Sequence, residues 1–387
     1  MLQPPFRVID LAGDLESAGS SYGAHFAAAY FATREPYLAA LSVLNGVARE
    51  AMHNQAQRWL TALPTNVQLQ MAAMAEGIRT NLPELATYLY ADISSPYANP
   101  SVNPAAEAPG QSPGQSPAPL CSTVVAPLVG RAHHSHPRHP WVARNCDWYP
   151  VTLCRGTAMV IYRSPGPGRM PFATLGVMGD IDADTGINAA GLWLHMHTQY
   201  TTDVLPLGQP SISWLFWMRE ALETCATIAE VEHFARTIGR DRGIMLIAVE
   251  GASGKHALFE CGRSTVTRID PHQGFVPGCT IVTNHCLAKH PMQSESERRS
   301  AGISKPNSTV RRYNRLLELL SAHRPEHAPD DLIEILADDD VEIRAGSSVQ
   351  TIYSAVAHPH SGTLWFASEG TPAASQGRWR QLDPNLY

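Results

Sequence analysis

Cys121 stands at a change in the character of the chain, and its thiol is the first candidate for chemistry. The stretch GQSPGQSPAPLCSTVVAPLVG, residues 110–130, passes there from a proline-rich segment to an apolar run typical of a buried strand. A thiol is a nucleophile only as its thiolate, which at an ordinary pKa of about 8.5 is a small fraction at neutral pH. A reactive Cys121 would therefore need a group that takes its proton.

A cut before Cys121 would supply a base within the same residue. If the bond between Leu120 and Cys121 is cleaved, the freed α-amino group, with an ordinary pKa of about 7.7 to 8.0, can take the proton of the thiol. An amino-terminal strand inside a sheet would hold both groups rigidly. Two simpler interpretations stay open: the segment is an ordinary linker, or Cys121 is a small buried residue at the start of a strand.

A cation and a carboxylate follow at strand spacing. The segment ARNCDW places Arg144 and Asp147 three residues apart on a strand that can return beside the strand of Cys121. The carboxylate could bind or orient the α-amine, and the guanidinium could lower the pKa of the thiol or hold a substrate carboxylate. Taken alone, an Arg and an Asp at a strand end are more often a surface ion pair.

Other polar residues stand where strands and helices begin or end. Asn284 ends the predicted strand of IVTNHC, and its amide could donate to a developing oxyanion, although such an Asn is usually a turn former. The segment GINAAGLWL places Asn188 and Gly191 in a predicted hairpin turn. The segment STVRRYNRLLELL places Arg312 and Arg315 near the start of an amphipathic helix, normally a solvated face.

Two histidine clusters offer a different chemistry. The segments HHSHPRH, residues 133–139, and HMH, residues 195–197, hold possible transition-metal ligands at close spacing. The first cluster is also explained as a polar turn around Pro137, and no cysteine or carboxylate pattern accompanies it. We therefore predict no metal site and keep a metal-binding module as the alternative from another functional class.

The elements that would position these residues divide the chain into three parts. Residues 1–95 form a helical amino-terminal region, with apolar positions at helical spacing from residue 14. Residues 96–120 hold seven prolines and repeat GQSP, which predicts an exposed connector or pro-segment. The pattern of residues 121–387 predicts a series of strands, many of which pair as hairpins. Two helical segments interrupt these strands. Strands in two sets with inserted helices predict stacked sheets with helices outside.

An aromatic cluster opens the first of those two helical segments. It consists of Trp214, Phe216, Trp217 and Met218 in SWLFWM. We predict that these side chains pack in the core, although such a helix could also border an acyl pocket.

Composition excludes several classes of function. With 387 residues, 44% hydrophobic and 17% charged, the chain can bury a large core. A net charge of −6 gives no basic surface for nucleic acid or for an anionic membrane. No signal-like start and no apolar run of roughly 18 residues is present, so we expect a cytoplasmic protein. Seven cysteines without a CxxC pair indicate reduced thiols.

The order of these motifs resembles one known family. Cys-Ser-Thr, ARNCDW, GINAAGL, TNH and S-x-x-x-R-Y-x-R-L follow one another as in the penicillin acyltransferase-like branch of the amino-terminal-nucleophile hydrolases, more distantly related to choloylglycine hydrolases. The front part is similar too, with SYGAHFAAAY at the place of a Gly-centred first helix and MAAMAEGIRTNLPEL at that of a helix around Glu76 and Gly77. The resemblance extends from about residue 15 to about residue 370.

The resemblance implies a role for each candidate residue. Cys121 would be the nucleophile, Asp147 would order its amine, Asn284 would donate to the oxyanion, and Arg312 would support the site. Arg144 matches the family's arginine in the same strand. A second polar residue of the oxyanion site falls at His197 or Thr198, and the alternatives stay open. Relatives commonly have Gly before the nucleophile, where this chain has Leu120.

The fold and activity that follow are an α+β four-layer αββα sandwich and amide or thioester chemistry through an acylated Cys121. Hydrolysis of a linear amide is slightly favoured over CoA-dependent N-acyl transfer. No cofactor is expected. We predict a heterodimer of the protein's own two fragments, possibly assembled into a higher homo-oligomer, acting on a small molecule and binding neither nucleic acid nor membrane.

Overall fold

The computed structural model describes most of the chain, and the gaps contain two of the predicted segments. The described residues are 3–91, 120–127, 139–199, 203–271, 276, 278–288, 309–322, 325–344 and 349–386. The connector 96–120, except for Leu120, and the histidines at 133–136 lie outside the described residues. None of the helices in the part described is long and apolar enough to cross a membrane.

The strands predicted after Cys121 are present, with further short ones. Within the described residues the strands are β1 (Arg7–Leu11), β2 (Leu120–Ala126), β3 (Trp141–Trp148), β4 (Thr157–Tyr162), β5 (Phe172–Val177), β6 (Thr185–Asn188), β7 (Leu192–Gln199), β8 (Ser211–Ile212), β9 (Gly239–Arg240), β10 (Gly243–Glu250), β11 (His256–Cys261), β12 (Val266–Ile269), β13 (Thr280–Val282), β14 (Gln350–His358), β15 (Thr363–Ser368) and β16 (Arg378–Leu382).

Four of the helices lie in the front part of the chain. They are α1 (Leu15–Asn45), α2 (Arg49–Ala62), α3 (Thr65–Ile78), α4 (Leu82–Tyr90), α5 (Trp214–Thr224), α6 (Ile228–Thr237), α7 (Thr309–Ala322), α8 (Asp330–Leu336) and α9 (Ala373–Gln376), with a 3-10 turn at Pro150–Arg155. The first of the two helical segments predicted after Cys121 is two helices. Thr227 caps the second helix through a reciprocal capping box with Glu230, so a new helix begins shortly after Cys225.

The chain divides into two compact units, which we describe separately. One comprises Met1–Ala118, Val151–Pro171 and Leu175–Asp182, and the other comprises Pro119–Pro150, Phe172–Thr174 and Ala183–Tyr387.

The first unit is built from α1 to α4 and from the parallel pair of β1 and β4. Strand β1 was not predicted from the sequence. Helices α1 and α3 approach closely because glycines face the partner backbone. A Cβ on Gly23 would lie 2.2 Å from the carbonyl oxygen of Met74, and a Cβ on Gly77 would lie 2.1 Å from that of Ser20. The glycines in SYGAHF and AEG are therefore contact points between two helices.

The second unit contains two sheets that face each other. One has the strand order β13-β2-β3-β14-β15-β16, and the other contains β6-β7-β10-β11-β12, with the start of β5 paired to β6. Thr123 of β2 hydrogen-bonds His195 and His197 of β7, so β2 and β7 meet across the interface.

Helices cover the outer faces of both sheets. Helices α5 and α6 pack on the sheet of β7, and α7 and α8 pack on the sheet of β2. The core under α7 and α8 contains side chains from the outward face of β2 and β3, including Val124 and Ala143. The layer order is helix, sheet, sheet, helix, which confirms the predicted four-layer αββα fold.

The aromatic cluster at the start of α5 lies in the core, as predicted. Trp214, Phe216, Trp217 and Met218 are all buried, and the indole of Trp217 donates to the carbonyl of Ile238.

Candidate active site

Strands β2 and β3 carry most of the predicted site and lie antiparallel to each other. Cys121 pairs with Cys146, Thr123 pairs with Arg144, and Leu120 pairs with Asp147. Side chains alternate between the two faces of a sheet, and residues directly opposite each other share a face. The strand pair therefore has an inner face, toward the other sheet, with Cys121 and Arg144, and an outer face, toward α7, with Asp147.

Arg144 is the cation next to the thiol. Its Nη2 donates to Cys121 Sγ at 3.7 Å, and its Nη1 donates to the carbonyl of Asp184 at 2.8 Å and to the hydroxyl of Thr185. The side chain is 1% exposed, and its Cζ lies 5.5 Å from the ring centroid of Tyr353. These contacts fix the guanidinium, so its charge stays beside the sulfur.

Cys146 and Asp184 complete the inner face. Cys146 Sγ lies 3.6 Å from Asp184 Oδ2, and the hydroxyl of Tyr353 donates to Asp184 Oδ1 at 2.7 Å. The same Tyr353 hydroxyl lies 2.8 Å from that of Thr185. The thiol of Cys146 thus lies between a carboxylate and the thiol of Cys121.

This environment makes Cys121 the acidic thiol of the pair. A hydrogen bond from Cys146, the charge of Arg144 and the backbone N–H of Asp147 lower the pKa of Cys121 to about 6, against the opposing effects of burial and of Asp184. Burial and the neighbouring Cys121 raise the pKa of Cys146 well above its ordinary value. A negative charge on this pair therefore resides on Cys121.

Arg312, on α7, binds the main chain of Cys121 from the outer face. Its Nη1 donates to the carbonyl oxygen of Cys121 and, at 2.7 Å, to Ser122 Oγ. Its Nη2 donates to Asn284 Oδ1 at 3.1 Å. The side chain is fully buried, so α7 contributes a site residue and not the solvated arginine typical of an amphipathic helix.

Asp147 lies on the outer face of the strand pair, opposite Leu120. Thr351 Oγ1 donates to Asp147 Oδ1 at 2.6 Å, and Arg312 Nη1 lies 3.8 Å from Oδ2. No donor among the described residues hydrogen-bonds Oδ2, although this atom is buried. Burial raises the pKa of Asp147 to about 8, with Arg312 opposing the rise. The carboxyl group thus has one acceptor position unused.

Asn284 contacts the backbone nitrogen of Cys121. Its Oδ1 accepts from Cys121 N at 2.8 Å, and its Nδ2 donates to the carbonyl of Thr198 at 3.0 Å. Because Oδ1 faces two donors, including Arg312, and Nδ2 faces a carbonyl, the orientation of this amide is determined by its partners. One hydrogen of the NH2 group is used by Thr198.

His197 and Thr198, the alternatives for a second oxyanion residue, differ in their surroundings. His197 is fully buried, with Nε2 2.8 Å from Thr123 Oγ1 and Nδ1 2.8 Å from the carbonyl of Thr283. Burial and the charge of Arg144 lower the pKa of His197 well below its ordinary value. Thr198 is partly exposed and reaches the site through its carbonyl.

Some candidates lie in purely structural roles. Asn188 caps its turn, accepting from two backbone nitrogens and donating to the carbonyls of Leu222 and Cys225. Arg315 pairs with Asp338 at 2.7 Å on the outer side of α7. His139, the described end of the first histidine cluster, stacks on another histidine, His360. Across the residues described, no group of three or more His, Cys, Asp or Glu side chains could hold a metal ion.

Several site residues were missed from the sequence. Cys146 had a signal, because it stands two residues after Arg144 on the same strand and must share its face. Tyr353 and Thr351 had none, because only the pairing of β14 with β3 brings them there. Asp184 had none, because it stands just before β6 and reaches β3 from the facing sheet.

With this geometry established, one match decides the family. Residues 135–373, more than half of the chain, match the family described as acyl-coenzyme A:6-aminopenicillanic acid acyl-transferase. The chain belongs to this family. The acyl-transferase match includes Arg144, Asp147, Asn284 and Arg312, whereas Cys121 precedes its first residue.

Solved structures of three other proteins are similar to this member of the acyl-transferase family. Penicillin V acylase from Agrobacterium tumefaciens is 16% identical, with 68% of this chain and 86% of that chain covered and a TM-score of 0.45. A Caenorhabditis elegans ortholog of N-acylethanolamine-hydrolyzing acid amidase is 16% identical, covering 62% and 93%, with a TM-score of 0.43. A mutant of conjugated bile acid hydrolase from Clostridium perfringens is 10% identical, covering 69% and 89%, with a TM-score of 0.37. No curated protein matches this chain.

Proposed function

We propose that the protein is a self-processing cysteine amidase or acyltransferase in which Cys121, freed as an amino terminus, is the nucleophile. The observation that carries this proposal is the clustering of buried charge around one residue. Arg144 contacts the sulfur of Cys121, Arg312 contacts its carbonyl, and Asn284 contacts its nitrogen. An inert buried cysteine would not need two buried arginines, each of which costs free energy to desolvate.

Self-cleavage would precede turnover. The Cys121 thiolate attacks the carbonyl carbon of Leu120, forming a C–S bond. The C–N bond then breaks, and the departing nitrogen takes a proton to become the α-amine. Water hydrolyses the resulting thioester, which leaves a carboxylate on Leu120 and the free thiol on Cys121. The unused acceptor on Asp147, opposite Leu120 in the strand pair, supports this route, because it would receive the new α-ammonium.

Turnover would use the same residues. The α-amine takes the thiol proton, and the thiolate attacks the carbonyl carbon of an amide or thioester. The remaining N–H of Asn284, with a backbone N–H, would donate to the oxyanion. The α-ammonium returns the proton to the leaving group, and Cys121 holds the acyl group as a thioester. Asp147 would keep the amine oriented in both half-reactions.

The acceptor of the acyl group separates two reactions. Water gives the hydrolysis of a linear amide. An amine gives N-acyl transfer from a thioester, and the family's description, which names acyl-coenzyme A and 6-aminopenicillanic acid, supports this second candidate. Both share the acyl-enzyme and differ only in what attacks it.

The decisive experiment compares the wild-type protein with Cys121→Ala by intact mass and amino-terminal sequencing. We expect wild-type protein in two fragments, the second beginning at Cys121, and an intact Cys121→Ala chain. Active wild-type protein that remains a single chain would refute self-processing, and a cut Cys121→Ala chain would indicate an external protease.

A second measurement tests catalysis and separates the two acceptors. A slowly turned-over acyl thioester should add one acyl group to Cys121, and release of that group with and without an added amine measures the partition between water and amine. A protein that binds a transition metal and is neither acylated nor alkylated at Cys121 would instead support the metal-binding module.

A further inference from the structure

Four buried side chains connect the two sheets directly behind the proposed nucleophile. Trp193, His195 and His197 alternate along β7 and so share its inner face, and Thr123 faces them from β2. All four are fully buried. The mechanism proposed above uses none of them.

The direction of every hydrogen bond in this group can be assigned from the partners at its two ends. The indole N–H of Trp193 donates to His195 Nδ1 at 2.8 Å, so that nitrogen carries no proton and the neutral ring carries its proton on Nε2. At the other end, His197 Nδ1 lies 2.8 Å from the carbonyl of Thr283, which can only accept. The proton of His197 is therefore on Nδ1.

The hydroxyl of Thr123 joins the two rings. It lies 2.8 Å from Nε2 of each. It must accept from the Nε2–H of His195 and donate to the bare Nε2 of His197. The bonds thus run one way, from Trp193 through His195, Thr123 and His197 to Thr283. The pKa of His195 is well below its ordinary value because of burial, the charge of Arg144 and repulsion by His197. This agrees with a neutral ring.

The last acceptor in this series of hydrogen bonds belongs to the peptide unit between Thr283 and Asn284. The carbonyl oxygen of Thr283 accepts from His197, and the N–H of Asn284, in the same peptide unit, donates to Thr309 Oγ1 at 2.7 Å. A peptide is planar, so two opposed hydrogen bonds fix its orientation. That orientation directs the side chain of Asn284, whose Oδ1 accepts from Cys121 N.

The contacts close into a ring. Cys121 bonds Asn284, the peptide before Asn284 bonds His197, His197 bonds Thr123, and Thr123 stands two residues from Cys121 on β2. We infer that Thr123, His195 and His197 are positioning residues that hold Asn284 against the nucleophile. This inference rests on the proposed function for its effect on turnover but not for its effect on the position of Asn284.

The first test compares Thr123→Val with Thr123→Ser. Valine keeps the shape and removes the hydroxyl, whereas serine keeps the hydroxyl. Because Asn284 acts on the transition state, we expect Thr123→Val to lower kcat about 10- to 100-fold with KM nearly unchanged, and Thr123→Ser to restore most of the loss. The rate of Cys121 alkylation should change little, because Arg144 and Cys146 act on the sulfur.

The matched control is Thr33→Val in the first unit. It removes another buried threonine hydroxyl, one bonded to the hydroxyl of Tyr88 at 2.7 Å. We expect it to lower Tm and leave kcat unchanged. If Thr123→Val behaves in the same way, with a lower Tm and full kcat in the folded protein, the positioning role is wrong.

The second test needs no substrate and judges the inference even if no amide is turned over. In nitrogen NMR spectra of the wild-type protein, His195 should be the Nε2–H tautomer and His197 the Nδ1–H tautomer. The side-chain amide signals of Asn284, assigned by their loss in Asn284→Ala, should shift in Thr123→Val and return in Thr123→Ser. Opposite tautomers, or Asn284 signals unmoved in Thr123→Val, would overturn the inference. Absence of Cys121-dependent turnover with these spectra intact would refute only the proposed function.

Discussion

The two faces of the β2–β3 strand pair contact different parts of Cys121. On the inner face, Arg144 and Cys146 contact the sulfur of Cys121. On the outer face, Arg312 contacts the carbonyl oxygen of Cys121, and Asp147 lies opposite the preceding peptide. Each face has one fully buried arginine, but one arginine acts on a side chain and the other on the main chain.

In the proposed mechanism, this difference separates two tasks within one strand pair. Activating a thiol needs positive charge and donors at the sulfur, and these lower the pKa of Cys121 to about 6. Holding a new amino terminus needs an acceptor at the nitrogen, and Asp147 has one unused. The odd spacing of Arg144 and Asp147, three residues apart, is what sends them to opposite faces.

The largest effect should come from Asn284, which serves the main-chain side. Asn284→Ala should lower kcat by about 100- to 1,000-fold with little change in Tm, because in the proposed mechanism the lost donor acts only on the transition state. Alkylation of Cys121 should keep its wild-type rate. The measurements are steady-state kinetics on an accepted amide or thioester, with Tm in parallel. Self-cleavage should slow as well, since it passes through an oxyanion at Leu120.

The matched control is Asn188→Ala. Asn188 is fully buried and makes four hydrogen bonds, but it only caps a turn. It should lower Tm and leave kcat intact. If Asn284→Ala also lowers Tm and leaves kcat intact, Asn284 is only a turn former.

Asp147 should give the next largest effect. Asp147→Asn keeps the shape and removes the charge that would hold the α-ammonium, so we expect turnover to fall by at least about 100-fold in folded protein. Asp338→Asn, which changes a carboxylate paired with Arg315 outside the site, serves as control. Wild-type turnover in Asp147→Asn would refute its role and would remove the functional difference between the two faces.

Cys146 tests the inner face with a smaller effect. Cys146→Ala removes the donor to the Cys121 sulfur, so the pKa of Cys121 should rise above about 6. The rate of iodoacetamide alkylation at Cys121, followed by peptide mass spectrometry against pH, should then have a higher midpoint. Near pH 6 we expect the rate to fall several-fold, toward about 10-fold for one unit of pKa, with less loss at pH 8. An unchanged midpoint would leave Arg144 as the cause of the acidity.

Cys261→Ala is the control for this experiment. Cys261 is also buried, and burial raises its pKa to about 11. Its removal should leave the alkylation profile of Cys121 unchanged.

The sequence predicted the fold and part of the site because both depend on local patterns. Alternating apolar runs and helical periodicity predicted the αββα layers, and the motif ARNCDW predicted a strand beside Cys121. Asp184 could not be predicted, because it reaches β3 from the facing sheet. Thr351 and Tyr353 could not be predicted either, because they reach β3 only through the pairing of β14, which is distant in sequence. The bulge in β14 between Thr351 and Tyr353 also shifts the register, so even correct strands would not have placed both residues.

The smallest effect concerns the stability of the uncut chain and the unused acceptor of Asp147. Burial raises the pKa of Asp147 to about 8 in the folded protein, whereas in the unfolded chain it is about 3.9. Between these two values the unfolded chain loses the proton and the folded protein keeps it, so this group makes the protein less stable as pH rises.

Asp147→Asn has no such proton. In an uncut Cys121→Ala background, we therefore expect the asparagine variant to gain stability over its aspartate parent from pH 5 to pH 7, by at least about 1 kcal/mol. Urea unfolding at several pH values measures the difference. Since the new amide also faces Arg312, a constant offset is expected, and only its change with pH decides. Parallel curves would mean that Asp147 is already ionised in the uncut chain. The outer face would then carry a negative charge before self-cleavage creates the α-amine that Asp147 is proposed to bind.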